Sequence, residues 1–204
     1  VKTKYKMRIL YILLIAISVI SCKTEKKSKT DAVSGETKKW KGGLIYPEET
    51  HFKTMKQITF GGDNAEAYWS FDDKQLIFQS NNKNWGVNCD QMFLMNADEI
   101  FKDNKPPMVS TGLGRTTCAY FLPDNKSFVY GSTHLGGKEC PPAPLRREGK
   151  YVWPIYESYD IFVADLEGNI TKQLTTEPGY DAEATVSPKG DKIVFTSMRT
   201  GDLE

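Results

Sequence analysis

One motif constrains this chain more than any other feature, because it occurs twice in near-identical form and once more in a worn copy. Ala65-Glu66-Ala67-Tyr68-Trp69-Ser70 runs through two acidic residues into Leu76-Ile77-Phe78-Gln79-Ser80. Ala182-Glu183-Ala184-Thr185-Val186-Ser187 runs through Pro188-Lys189-Gly190-Asp191 into Ile193-Val194-Phe195-Thr196-Ser197, and the two align without a gap. Between them, Ala119-Tyr120-Phe121-Leu122 leads through Pro123-Asp124-Asn125-Lys126 into Phe128-Val129-Tyr130-Gly131-Ser132. Self-similarity at a fixed spacing is the signature of an array of like units.

Each unit reads as four short strands. Val, Ile, Phe, Tyr and Trp concentrate in short runs, and Asp, Asn, Gly, Pro and Lys fill the breaks, where turns need a preset or left-handed φ. First strands are expected at 65–70, 117–122 and 182–187, second strands at 75–80, 127–132 and 192–197. Third strands fall at 91–95 and 160–164, and fourth strands near 107–110 and 170–175. The spacing exceeds the ~40–45 residues usual for a propeller blade. The excess lies at 81–90 and 133–159, between strands two and three, so both insertions emerge on one side of the array. Lys56-Gln57-Ile58-Thr59 is similar to Lys172-Gln173-Leu174-Thr175, a fourth strand, and reads as the outermost strand of a further blade. The expected fold is all-β: a partial β-propeller of four-stranded antiparallel blades, two complete blades plus parts of two more. Met198 to Glu204 leads toward a third strand, so the chain is expected to be a truncated product or a fragment.

The first residues predict export. Lys2, Lys4, Lys6 and Arg8 precede an apolar run from Ile9 to Ile20, too short to span a bilayer and ordered as a secretory signal is. The run stops at Val19-Ile20-Ser21-Cys22, which resembles the lipobox of bacterial lipoproteins. Residues 1–22 are therefore expected to be a lipoprotein signal peptide with Cys22 as the lipidation site. Acyl chains there would anchor the protein, since each buried methylene contributes about 0.8 kcal/mol. The lysine-rich, apolar-poor segment 23–39 reads as a flexible tether, and 40–204 as the propeller. Lys and Arg number 27 and Asp and Glu 26, a net of +1, and once residues 1–39 are set aside the remainder is acidic. Nothing here suits nucleic acid, which needs a basic face.

The stretch from Gly179 to Glu204 carries Ser187-Pro188, Gly190, Ile193, Phe195-Thr196-Ser197 and then Arg199 and Gly201. This pattern resembles the repeat of TolB-type β-propellers. The unit at 63–95 is similar, with Ser70-Phe71-Asp72-Asp73 at the turn; the unit at 117–164 departs more, with Leu122 in place of the Ser. The likeness covers about 55–204 and is specific for the repeat rather than for a function. It implies an envelope location and work through protein contacts. The same repeat also forms the propellers of prolyl-oligopeptidase-like peptidases.

In an up-and-down blade, the loops before strand one and between strands two and three share a face. That face is expected to bind, because loops on a rigid scaffold carry function. Its candidate residues are Asp63, Glu66, Arg115, His134, Trp153, Tyr156, Asp181 and Glu183. Cys89, Cys118 and Cys140 map there too, an odd set that suggests one bridge and one spare thiol in an oxidising envelope. Cys118 with Cys140, or Cys118 with Cys89, are the pairings considered. A metal held by these cysteines with His134 and Glu139 lacks the tight spacing zinc favours, and a calcium site on Asp63 and Asp181 competes with simple turn capping. No metal or cofactor is expected. The insertion 136–158 is stiffened by Pro141, Pro142, Pro144 and Pro154, and its Trp153 and tyrosines are of the type that anchors interfaces.

No Gly-x-Ser-x-Gly elbow, phosphate loop or His-Glu-x-x-His stands in the sequence. The expected function is a cell-envelope lipoprotein, periplasmic or on the outer-membrane side, whose propeller is a non-catalytic scaffold for an envelope protein or glycan. The alternative is the propeller of a secreted prolyl-oligopeptidase-like hydrolase with its catalytic domain beyond Glu204.

Overall fold

The computed structural model describes residues 43–143, 150 and 152–204. The expected signal peptide, Cys22 and the tether lie outside the described residues, as do Arg146, Arg147 and Tyr151 of the insertion. The chain divides into two units, Val1–Lys53 and Thr54–Glu204. In the first, Glu49 closes a turn, its amide donating to Tyr46 O while its carboxylate accepts from the Tyr46 amide at 2.7 Å.

Among the described residues the second unit holds nine strands and one short 3-10 turn, Lys83–Trp85. The first blade holds β1 (Asp63–Trp69), β2 (Gln75–Asn81) and β3 (Gln91–Asn96); the second holds β4 (Thr116–Phe121), β5 (Ser127–Ser132), β6 (Asp160–Asp165) and β7 (Ile170–Gln173); the third holds β8 (Asp181–Val186) and β9 (Ile193–Ser197). All ladders between neighbouring strands are antiparallel. The fourth strand expected near 107–110 is reduced to a bridge from Met108 to Phe93, flanked by Leu94 N–H to Pro107 O at 3.0 Å and Val109 N–H to Met92 O at 2.8 Å. Pro107 lacks a donor, which keeps this edge short. Ile58 and Thr59 run beside Phe101 in a parallel bridge.

One turn is repeated three times. Asp73, Asn125 and Gly190 each donate their amide to the carbonyl three residues back, Ser70, Leu122 and Ser187, and each has positive φ (57°, 51° and 72°). Asp, Asn and Gly are the residues that tolerate this conformation best. Ser70 and Ser187 accept backbone N–H groups on their hydroxyls; Leu122 has no hydroxyl, and Asp124 takes over by accepting from the Lys126 and Ser127 amides. The worn copy thus keeps the turn by different chemistry.

The blades stack face to face because their strands are apolar on both faces. Ile77, Met92 and Leu94 of the first blade meet Phe121, Phe128, Tyr130 and Phe162 of the second. The alternate residues Val129 and Ile161 meet Ala184 and Val186 of the third. Leu76, Phe78, Phe93 and Met95 point the other way and are covered by Trp85, Ile58 and Phe101. The first strands follow one another in space, since β1 and β8 both touch β4. This is the radial arrangement of a propeller, and the molecule is a partial one. Ser197 and Glu204 exchange both backbone hydrogen bonds, which repeats the pairing of Ser80 with Gln91 and Ser132 with Asp160.

Candidate functional site

Each innermost strand contains one extra residue. Ala65 pairs with Gln79 and Tyr68 with Ile77, so Glu66 and Ala67 together oppose Phe78. Cys118 and Ala119 oppose Tyr130 in the same way, and Glu183 and Ala184 oppose Phe195. The first bulge residue is left-handed each time, with φ of 50° at Glu66, 41° at Cys118 and 58° at Glu183. A non-glycine residue there costs about 1–2 kcal/mol. A bulge of this kind re-aims a side chain and is found beside functional sites.

The re-aimed side chains converge. Cys118 Sγ donates to Glu183 Oε2 at 2.6 Å, and Thr117 Oγ1 and Tyr180 OH donate to Glu183 Oε1, each at 3.2 Å. Tyr68 OH donates to Glu66 Oε2 at 2.6 Å. Burial and then the Glu183 carboxylate hold the Cys118 thiol well above its ordinary pKa, so it stays protonated and donates. The hydrogen bond to Glu66, followed by burial, raises Tyr68 likewise. The Cys118 amide donates to Gln79 Oε1 at 3.1 Å, tying β4 to β2 across the blade boundary.

Above this cluster lies a cleft of about 160 Å³ lined by Gln79, Asp90, Arg115, Thr116, Thr117, Trp153, Pro154, Tyr159, Tyr180 and Glu183. Arg115 Nη1 donates to Asp90 Oδ2 at 2.8 Å, and Thr116 Oγ1 donates to Asp90 O at 3.0 Å. Burial pushes the Asp90 carboxyl up, and Arg115 opposes that push. Trp153 Nε1 donates to Tyr180 OH at 3.4 Å, which brings Trp153 and Pro154 to the cleft. A disulfide from Cys89 to Cys140, with Cα atoms 5.7 Å apart, ties the 81–90 loop to the start of that insertion. This corrects both pairings considered from the sequence: Cys118 is the free thiol. Its bulge turns it into the first-strand cluster, whereas Cys89 and Cys140 sit in adjacent rim loops.

Of the candidate residues, Arg115, Trp153 and Glu183 line the cleft. Asp63 is exposed at the start of β1, and Glu66 binds Tyr68 beside the first-strand cluster. Asp181 is only 2% exposed and is paired with Arg199 at 2.8 Å. Tyr156 packs the insertion, donating to Pro142 O at 2.8 Å. His134 lies against Phe162 with ring centroids 4.6 Å apart; burial lowers its pKa, and Asp160 opposes. Its Nδ1 is 2.9 Å from Ser132 Oγ, but Ser132 is fully buried and Asp160 engages Thr175 and Gln173, so these three residues do not form a nucleophilic triad. Among the described residues no group of three or more His, Cys, Asp or Glu is placed to hold a metal. The disulfide removes two of the cysteines weighed as ligands, and Arg199 occupies Asp181.

Sequence reasoning missed Gln79. Its signal was a polar residue after Leu76-Ile77-Phe78, where the other copies place Gly131 and Thr196. A larger cavity of about 440 Å³ lies between Ile161 and Leu174 on one side and Ile193 and Phe195 on the other. Its apolar side chains are mixed with Thr175, Thr176, Glu177 and Arg199.

No family model and no curated protein sequence matches the chain. Among the solved structures it is similar to are a putative TolB from Agrobacterium tumefaciens and TolB from Acinetobacter baumannii, each at 19% identity and a TM-score of 0.46. The first comparison covers 68% of this chain and 40% of that one; the second covers 70% and 29%.

Proposed function

We propose that this protein is a cell-envelope lipoprotein, anchored through Cys22, whose propeller is a non-catalytic scaffold that binds an envelope protein or glycan at the cleft between its first strands. The observation that carries the reading is the thrice-repeated strained bulge. It spends conformational energy at one position in every blade; of the redirected side chains, Cys118 donates to Glu183, Glu183 lines the cleft, and Trp153 stands at the same cleft.

Two measurements test it. Radioactive palmitate is expected to label the full chain in cells that process lipoproteins, and Cys22→Ser to abolish the label; label that survives the substitution refutes the anchor. A photoreactive benzophenone side chain at Trp153 is expected to form an adduct in living cells. The same group at Lys126, on the opposite turn, is expected to form none. Adducts from Lys126 alone, with both variants folded, place binding elsewhere.

A further inference from the structure

We infer that the cleft takes a neutral six-membered sugar ring, a pyranose, free or at the end of a glycan. This rests on the binding reading above and names its ligand. The charged groups of the cleft are already matched within the protein. Arg115 is paired with Asp90, and Glu183 receives the Tyr180 and Thr117 hydroxyls and the Cys118 thiol. An anion would meet two carboxylates, and a free cation would meet a guanidinium.

What remains is a mixed set of hydrogen-bonding positions with no unmatched charge. Gln79 uses its oxygen for the Cys118 amide, which leaves its NH2 group without a partner among the described residues. The Tyr159 hydroxyl has none there either. The two carboxylates retain acceptor capacity, because each offers about four lone-pair sites. Donors and acceptors side by side suit hydroxyl groups, which do both. Trp153 and Pro154 add an apolar wall for the C–H face of such a ring. The cleft measures about 160 Å³, close to the ~150 Å³ of an engineered cavity that holds benzene, so it takes one edge of a pyranose and leaves the rest of the sugar in solvent.

The test is saturation-transfer NMR on the full chain in a zwitterionic, sugar-free detergent. Probes are the methyl pyranosides of glucose, galactose and N-acetylglucosamine, and oligosaccharides hydrolysed from envelope polysaccharide. Cyclohexylmethanol, methylammonium and acetate serve as controls. At least one pyranose probe is expected to receive saturation, and Gln79→Leu and Trp153→Ala each to weaken it about tenfold, the worth of one hydrogen bond or comparable contact. Response from oligosaccharides alone locates the ring at a chain end and still supports the inference. Silence from every sugar with folded protein overturns it, as does binding unchanged in both variants or stronger binding of methylammonium or acetate. If Trp153 forms adducts in cells while all sugars are silent, the sugar inference fails and the scaffold reading stands.

Discussion

Replacing both Cys89 and Cys140 by Ser should cost this protein about 4 kcal/mol. The bridge closes a loop with a sequence separation of 51. In the chain-entropy treatment, a loop of that length removes roughly 14 cal/mol/K from the unfolded ensemble, about 4 kcal/mol at room temperature. For a domain of this size each kcal/mol moves the midpoint by about 2–4 °C, so thermal unfolding should fall by about 8–16 °C. The assay is far-ultraviolet circular dichroism on the full chain, oxidised, reduced and doubly substituted. The reduced wild type and the double variant should coincide. Non-reducing peptide mapping should recover Cys89 joined to Cys140, and Cys118 should resist alkylation until the protein unfolds, since it is buried and its thiol is held protonated. A bridge containing Cys118, or a midpoint shift below about 3 °C, refutes the reasoning.

Three further outcomes are expected. Tyr130→Phe should be neutral or stabilise by about 1 kcal/mol in urea denaturation, because the hydroxyl is buried with no partner among the described residues; a loss above about 0.5 kcal/mol would reveal one. Gly114→Ala should cost about 2–3 kcal/mol by the same measurement, since φ is +60° and a Cβ would stand 2.6 Å from Thr133 Oγ1 and 2.9 Å from the His134 amide; an unchanged midpoint contradicts that. For His134 the folded pKa lies below the unfolded one, so its contribution is full above about pH 6.5 and is lost as pH falls through the lower folded value. Stability profiles between pH 7.5 and 5 should therefore be less steep in His134→Gln than in wild type, and parallel profiles would exclude the effect.

The blades were legible because period-two apolar strands and turn residues are local signals, and here they are written three times. The worn copy shows the limit of that reading. Leu122 lacks the hydroxyl that caps the turn in Ser70 and Ser187, yet Asp124 restores the cap two residues later. The short fourth strand of the first blade was less legible, since Pro107 interrupts its donors, a constraint that pattern alone underweights.

The site was half legible for a different reason. Loop order assigned all six to one rim; in the structure Arg115, Trp153 and Glu183 line the cleft, while Asp181 pairs with Arg199, His134 lies against Phe162 and Tyr156 donates to Pro142 O. Loop order fixes which end of a blade a residue occupies; it does not fix which way the side chain turns. That direction is set here by an unpaired residue in each first strand. A bulge appears only in the register between two strands, where Ala65 pairs with Gln79 while Tyr68 pairs with Ile77, and not in the composition of either. Both disulfide pairings considered from the sequence used Cys118, for the same cause. Without the bulge, Cys118 is simply a third rim cysteine. With it, Cys118 occupies the position of Glu66 and Glu183, is drawn to the Glu183 carboxylate, and leaves Cys89 and Cys140 to each other.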